Sequence, residues 1–222
     1  METRLIRTDD GSYTLFVPSL NEHYHSTFGA VRESLHIFIG AGLMACDHEA
    51  KTLSIFEVGF GTGLNAYLTL LESAKFVPAV HYTAIESDPV DITLISTLNY
   101  PELCGDKDAA RYTGLHDTPW NCEIQVEELF FLHKIHRKIG ECELPANEYD
   151  LVYFDAFGPD VQPELWTAEI FTKLFNSMKK GGILVTYSVK GTVKRALKST
   201  GFTLEKLPGP PGKREILRAT KT

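Results

Sequence analysis

From residue 52 onward, short apolar runs closed by a glycine or an acid recur along the chain. The runs at 53–58, 81–86, 149–155 and 182–187 have strand length and are apolar nearly throughout, the pattern of strands covered on both faces. Between them, apolar positions three or four apart predict helices over 63–73, 90–98, 127–138, 163–178 and 192–199. Further strands are predicted at 123–126, 202–206 and 214–219. Strand and helix in alternation predict an α/β, Rossmann-like fold: a mostly parallel twisted sheet with helices on both faces. The final two strands have no helix between them and are joined by a Pro/Gly-rich turn at 209–212. They therefore form a hairpin, and the last strand runs antiparallel.

The first 50 residues follow a different pattern. Two β-prone runs at 5–7 and 13–17 flank the turn-forming cluster Asp9-Asp10-Gly11-Ser12. A helix is predicted from about 30 to 39, ending near Gly40-Ala41-Gly42. The expected organisation is a small hairpin-plus-helix extension, 1–50, packed on a main domain, 51–222. No repeat, low-complexity tract or long linker interrupts it.

Composition narrows the class. With 43% hydrophobic residues, 222 residues can bury a core without staples. No apolar run approaches the ~20 residues of a membrane span, and the N-terminus lacks a signal-peptide pattern. Cys46, Cys104, Cys122 and Cys142 form no C-x-x-C pair, so reduced thiols and a cytoplasmic location are expected. His133 and His136 stand three apart, yet no further ligands converge in sequence, so no metal is expected.

The net charge of −7 hides an asymmetry. From Lys179 to the end there are 11 Lys/Arg against Glu205 and Glu215, or +9; the preceding residues then carry 11 Lys/Arg against 27 acids, or −16. Lys190, Lys194 and Lys198 share one stripe of the predicted helix, with Arg195 beside them, and Lys213, Arg214 and Arg218 follow. This basic end is either a surface for an anionic partner or a set of solvated faces, and charge alone leaves both open.

Candidate chemistry concentrates at two strand ends. Glu57-Val58-Gly59-Phe60-Gly61-Thr62-Gly63 is a strand, a glycine turn and a helix start. In open α/β sheets ligands bind at such carboxyl ends, and glycines let the backbone approach them. Glu86 closes the next strand, where a carboxylate accepts ribose hydroxyls. A nucleoside cofactor fits these features. Dinucleotide binding is the rival reading, although its third glycine would fall one position later. At the second strand end, Asp155 is followed by Phe157, the Gly158-Pro159 turn and Trp166, a polar anchor beside apolar walls. Asp155 is the catalytic candidate; a capping role is the bland alternative.

Together these residues resemble a known family. Phe28-Gly29, Glu33-Ser34-x-His36-x-Phe38, the string from Glu57 to Asn65, Asp155-x-Phe157-x-Pro159 and Pro163-x-x-Trp166-Thr167 look like the methyltransferase domain of MnmC-type tRNA-modifying enzymes. The tail agrees in Gly181-Gly182-x-Leu184, Val193-Lys194-Arg195-x-Leu197, Gly201-Phe202 and Gly212-Lys213-Arg214-Glu215-x-Leu217. The match runs from about 25 to 218. It implies a class I, S-adenosylmethionine-dependent methyltransferase acting on the side-chain amine of 5-aminomethyl-2-thiouridine at the wobble position of tRNA.

By position, the resemblance assigns Glu57, Gly59, Phe60, Gly61, Gly63 and Glu86 to the cofactor and Asp155 to the amine. Asp155 would orient the amine and take its proton late. Family members often carry Gly-Asp after the third strand, with the acid near the adenine; Glu127-Glu128 follow the run at 123–126, and Glu128 is the positional match. The Arg-Trp common after the N-terminal helix is missing near Leu43-Met44-Ala45-Cys46, and Ala156 and Gly158 replace the usual Gly and Ala around Phe157. Tracking of phosphates is expected from Lys194, Arg195, Lys213 and Arg214. Phe157, Pro159 and Trp166 are expected at the splayed-out base, with core packing the alternative for each aromatic. Fused members add a flavin domain, for which 222 residues leave no room, so the resemblance is to the stand-alone type. Two other functions stay open: methyl or aminopropyl transfer to a small amine, and a non-catalytic RNA-binding module that keeps the fold.

Overall fold

A computed structural model describes residues 3–47, 49–75 and 79–222. Near the N-terminus, β1 (Arg4–Arg7), β2 (Tyr13–Val17) and β3 (Glu22–His23) form a small antiparallel sheet. The chain then enters α1 (Ala30–Ser34), which continues as a π-helical turn over Leu35–Gly40. Among its described residues the extension shares the core of the main body. Leu15, Ala30, Ile37 and Phe38 belong to the apolar cluster that also contains Ile55, Tyr67 and Tyr153 of the main body.

The main sheet has eight strands. They are β4 (Leu53–Val58), β5 (Val80–Glu86), β6 (Glu123–Glu127), β7 (Phe130–His136), β8 (Tyr149–Phe154), β9 (Met178–Thr186), β10 (Phe202–Pro208) and β11 (Glu215–Lys221). Their spatial order is β10-β11-β9-β8-β4-β5-β7-β6. β9, β8, β4, β5 and β7 are mutually parallel. β11 runs antiparallel to β9 and pairs with β10 as the predicted terminal hairpin. Because β4 pairs with β5 on one side and β8 on the other, the chain reverses direction across the sheet there, and a crevice opens at the strands' carboxyl ends.

The helices are α2 (Leu64–Ser73), α3 (Ile92–Ile95), α4 (Tyr100–Leu103), α5 (Ala110–Asp117), α6 (Ala168–Ser177) and α7 (Gly191–Ser199). Thr167 caps α6, its hydroxyl accepting from the Ile170 N–H, so the helix predicted from 163 starts five residues late behind a 3₁₀ turn at Pro163–Leu165. The helix predicted over 90–98 shrinks to α3, while α4 and α5 fill a stretch in which no element was expected.

One prediction fails outright. The segment expected as a helix over 127–138 is strand β7, hydrogen-bonded to β5 from Val80↔Phe130 to Glu86↔His136. Phe130, Leu132 and Lys134 are buried while Phe131, His133 and Ile135 are half-buried, a period of two. Lys134 disguises that period because a lysine reads as a solvent position. Here its ammonium donates to the His116 carbonyl at 2.7 Å and lies over the Trp120 ring, 4.8 Å from the centroid. The predicted strand at 123–126 is consequently not the third parallel strand; β6 is the antiparallel edge strand of a hairpin with β7. Among the described residues no helix is long and apolar enough to cross a membrane, and no group of three or more His, Cys, Asp or Glu converges to hold a metal ion.

Candidate active site

The crevice at the carboxyl ends is a cleft of about 1000 Å³. Its floor is the turn between β4 and α2. Gly59, Gly61 and Gly63 all have positive φ (90°, 50° and 70°), which turns the chain sharply and leaves Gly63 as the left-handed N-cap of α2. The turn is tied down from two sides. Glu86 Oε2 accepts from the Gly61 N–H at 3.0 Å. Below it, the Thr62 carbonyl accepts from Tyr112 Oη at 2.7 Å and His116 Nε2 at 3.0 Å, both on α5. Burial, and then Lys134, push the His116 imidazolium down to about 4, so the ring is neutral at pH 7 with its proton on Nε2.

Behind the turn lies a chain of buried polar groups. Glu57 is 0% exposed. The Asn65 side-chain amide bridges two acids, donating from Nδ2 to Glu57 Oε1 at 3.0 Å and to Asp155 Oδ2 at 2.8 Å. Burial raises the Glu57 carboxyl well above the usual range, and Asp155 adds to the rise while Asn65 opposes it. Burial likewise holds Asp155 well up, reinforced by Glu33 and countered by Asn65 and Lys213. Asn65 Oδ1 is buried with no hydrogen-bond donor among the described residues, whereas the Glu57 carboxyl faces the buried Tyr82 hydroxyl. An acceptor left bare at the base of a cleft is costly unless a ligand supplies a donor.

The opposite wall is aromatic and comes from distant parts of the chain. Tyr24 packs edge-on against Phe157 at 5.1 Å, and Tyr187 donates from its hydroxyl to the Ala156 carbonyl at 2.8 Å. Lys213, from the turn between β10 and β11, pairs with Glu33 of α1 at 2.6 Å and lies 5.3 Å from the Tyr187 ring centroid. This pair joins the N-terminal extension to the C-terminal hairpin over the cleft.

Residues 112–222 match the family described as S-adenosyl-L-methionine-dependent methyltransferase. The chain belongs to that family. It is 32% identical over 228 residues to the tRNA 5-methylaminomethyl-2-thiouridine biosynthesis bifunctional protein MnmC of Aromatoleum aromaticum, covering 97% of this chain and 35% of that protein. The protein of the same name from Burkholderia multivorans is 31% identical over 227 residues, covering 94% and 33%. The chain thus spans about a third of the length of these curated relatives. Among solved structures, MnmC2 from Aquifex aeolicus superposes with a TM-score of 0.78 at 26% identity, over 100% of this chain and 71% of that one. The cofactor of this methyltransferase family is S-adenosylmethionine.

In this methyltransferase the residues singled out from sequence separate into two groups. The cleft is lined by Gly59, Phe60, Gly61, Glu86, Asp155, Phe157 and Lys213, with Glu57 directly behind it through Asn65. The Phe60 ring is turned away and packs against His116 and Trp120, at 5.2 and 6.1 Å. Gly63 contributes the turn and not a wall. Pro159 lies in a shallow adjoining recess with Asp160 and Lys190. Lys194 and Arg195 are on α7 and Arg214 is exposed beyond Lys213, all outside the cleft.

Two assignments are corrected. Glu128 is exposed in the turn before β7, at the amino end of the parallel strands and so the far end from the cleft. Once Phe130–His136 is a strand, the loop after the third parallel strand is Arg137 to Glu141, and it lines the cleft. Glu141 is the acid of that loop that lines the cleft. Trp166 is 5% exposed and packs on Phe154 and Tyr187 at 4.7 and 5.8 Å. Its Nε1 donates to the Phe157 carbonyl at 2.8 Å, so it fixes the loop and cannot stack on a substrate base. Trp166→Ala is expected to cost about 3–5 kcal/mol in chemical denaturation. Trp166→Phe, which keeps most of the packing, should leave the KM for substrate within about twofold of wild type.

Asn65, Tyr24, Glu33, Tyr187 and Glu141 escaped the sequence-based assignment of roles. Asn65 and Glu33 stood within the quoted family strings. Tyr24 and Tyr187 carried no local signal, because only the fold brings them to the cleft.

Proposed function

We propose that this chain methylates the side-chain amine of 5-aminomethyl-2-thiouridine in tRNA, converting it to the methylaminomethyl form. Similarity to proteins named for tRNA 5-methylaminomethyl-2-thiouridine biosynthesis supports the substrate. The observation that carries the chemistry is Asp155: a half-buried carboxyl at the end of β8, held by Asn65 between the glycine turn and the aromatic wall. Residues 51–222 form the catalytic body, and the extension at 1–50 supplies Tyr24 and Glu33 to the substrate side.

The cleft fits the cofactor. The bare Asn65 Oδ1 suits its amino-acid ammonium, directly or through water. Glu86 suits the ribose hydroxyls and Glu141 the adenine side, while the backbone of Gly59 and Gly61 allows close approach. When bound, S-adenosylmethionine supplies an electrophilic methyl group on a sulfonium.

The chain's own residues prepare the amine. An alkylamine arrives as an ammonium, which has no lone pair to attack with. Asp155 binds that ammonium and accepts its proton, and its raised pKa makes it a stronger base than an ordinary carboxylate. Tyr24 and Phe157 exclude water from one side, and the Asn65 bridge fixes the direction of the carboxyl. Holding the lone pair in line is the larger contribution, because proximity and orientation replace a bimolecular encounter.

The basic end supports tRNA as partner. Lys206, Lys190 and Arg218 are paired with Glu215, Asp160 and Glu205, respectively, whereas Lys194, Arg195, Lys198 and Arg214 form no ion pair among the described residues. Arg214 lies in the turn of the hairpin whose Lys213 lines the cleft, and the other three are on α7. A tRNA substrate also implies action in the cytoplasm.

The test is transfer of radiolabelled methyl to two tRNA pools, one bearing the aminomethyl nucleoside and one lacking it, at low and moderate salt. Label is expected only in the first pool, falling as salt rises because phosphate contacts release counterions. Label in neither pool, with transfer to a free polyamine, would reject the tRNA reading in favour of a small-amine enzyme.

A further inference from the structure

Phe28 is the one aromatic ring among the exposed large apolar side chains of the described residues, 47% exposed, and it stands in the wall of the cleft. An apolar ring left in water at a cleft mouth gives up burial free energy, so its position calls for a cause.

Its surroundings make it a fixed plate. The Phe28 N–H donates to Ser26 Oγ at 3.2 Å, and the Ser26 N–H donates to Glu33 Oε2 at 2.8 Å, which holds the turn ahead of α1. The other oxygen of Glu33 takes the Lys213 ammonium, clamping the β10–β11 turn onto the same spot. Gly212 in that turn has φ of +85°, and a Cβ there would overlap the Phe28 ring. The ring therefore lies directly on glycine backbone, backed on one face and open on the other. Arg214, exposed and in no ion pair among the described residues, is two residues from Gly212 and next to Glu215.

A rigid aromatic face beside an unpaired cation matches a nucleobase with its phosphate. Single-stranded RNA is recognised in this way, by stacking on aromatics with cations along the backbone. A protein partner would need a far wider apolar surface than one ring provides. We infer that Phe28 stacks on a base neighbouring the methylated nucleoside and holds the splayed loop over the cleft, with Arg214 on the adjoining phosphate. This rests on the tRNA reading and adds to it the residue that seats the flanking base.

Aromatic stacking on a base is worth roughly a 5- to 150-fold change in binding. Phe28→Ala should therefore raise the KM for aminomethyl tRNA by about that factor, with kcat, cofactor affinity and melting temperature close to wild type. Phe28→Leu keeps an apolar side chain without a π-face and should remain impaired, while Phe28→Trp should recover. With 2-aminopurine placed beside the modified nucleoside, wild type should quench its fluorescence on binding and Phe28→Leu should not. A wild-type enzyme that methylates tRNA while Phe28→Leu matches it in KM and quenching would overturn the stacking and leave the substrate assignment standing. Absence of tRNA methylation by wild type would overturn both.

Discussion

Replacing Asp155 with asparagine is expected to lower kcat by roughly 10²- to 10⁴-fold, the usual contribution of a positioned acid–base group. Asparagine keeps an oxygen to accept from Asn65 Nδ2, so the local geometry should survive and cofactor affinity should change little. The pH dependence makes the test specific. Asp155 is raised by burial and by Glu33, so its carboxylate form appears only above the normal range and the wild-type rate should climb with pH through that value. Glu33 raises Asp155 and Lys213 lowers it. Glu33→Gln should thus move the rising limb to lower pH, and Lys213→Met should move it to higher pH. Neighbouring Glu57, coupled through Asn65, and Tyr187 also face Asp155, and neither substitution removes them. Equal limbs in all three proteins would mean that the limb belongs to another group.

The same raised acid has a cost in stability. A carboxyl whose folded pKa is raised contributes stability that is complete below its unfolded value, near 3.8 for Asp155, and is lost as pH rises through the folded value. Asp155→Asn removes that ionisation and should melt higher than wild type at neutral pH while being nearly inactive. Such opposition of stability and activity is expected where a site holds a strained or buried charge.

The second large effect is expected from Gly59→Ala. Gly59 has φ of +90°, and a Cβ there would lie 2.8 Å from the backbone carbonyl oxygen of Asp155. The neighbour is backbone, so no side chain can swing aside. Backbone strain alone is worth about 1–3 kcal/mol, and relief requires the glycine turn and the end of β8 to separate. The turn and the Asp155 carboxyl should then be displaced together. Isothermal titration should register at least a tenfold loss of S-adenosylmethionine affinity, about 1.4 kcal/mol, together with a lower melting temperature. Unchanged affinity would show that the cofactor does not approach this stretch of backbone.

Much of the glycine-turn side of the cleft was legible in the chain because its signals are local. A run such as 53–58 is a buried strand in almost any context, and glycines at 59, 61 and 63 permit a turn that other residues resist. The terminal hairpin was equally plain, since two strands with a Pro/Gly turn and no intervening helix have few other arrangements. Asp155 could be named from the same logic, as an acid ending an apolar strand.

The failures share one physical cause. Lys134 in β7 and Trp166 before α6 take their meaning from partners remote in sequence, a carbonyl on α5 and a carbonyl beside Asp155. Reading 127–138 as a helix left the run at 123–126 as the third strand, and the acid after it, Glu128, lies at the opposite end of the sheet from the cleft. Likewise, no local pattern brings Glu33 to Lys213 or Tyr24 to Phe157. The sequence by itself determined the alternation of elements, the glycine turn and the acid at the end of β8, because backbone conformation and strand burial are written in neighbouring residues. Only the tertiary structure decided which acids face the cleft, which aromatics are core and which are surface, and how the two chain ends meet over Asp155. Those outcomes depend on strand pairing and on the solvation of groups far apart in the chain.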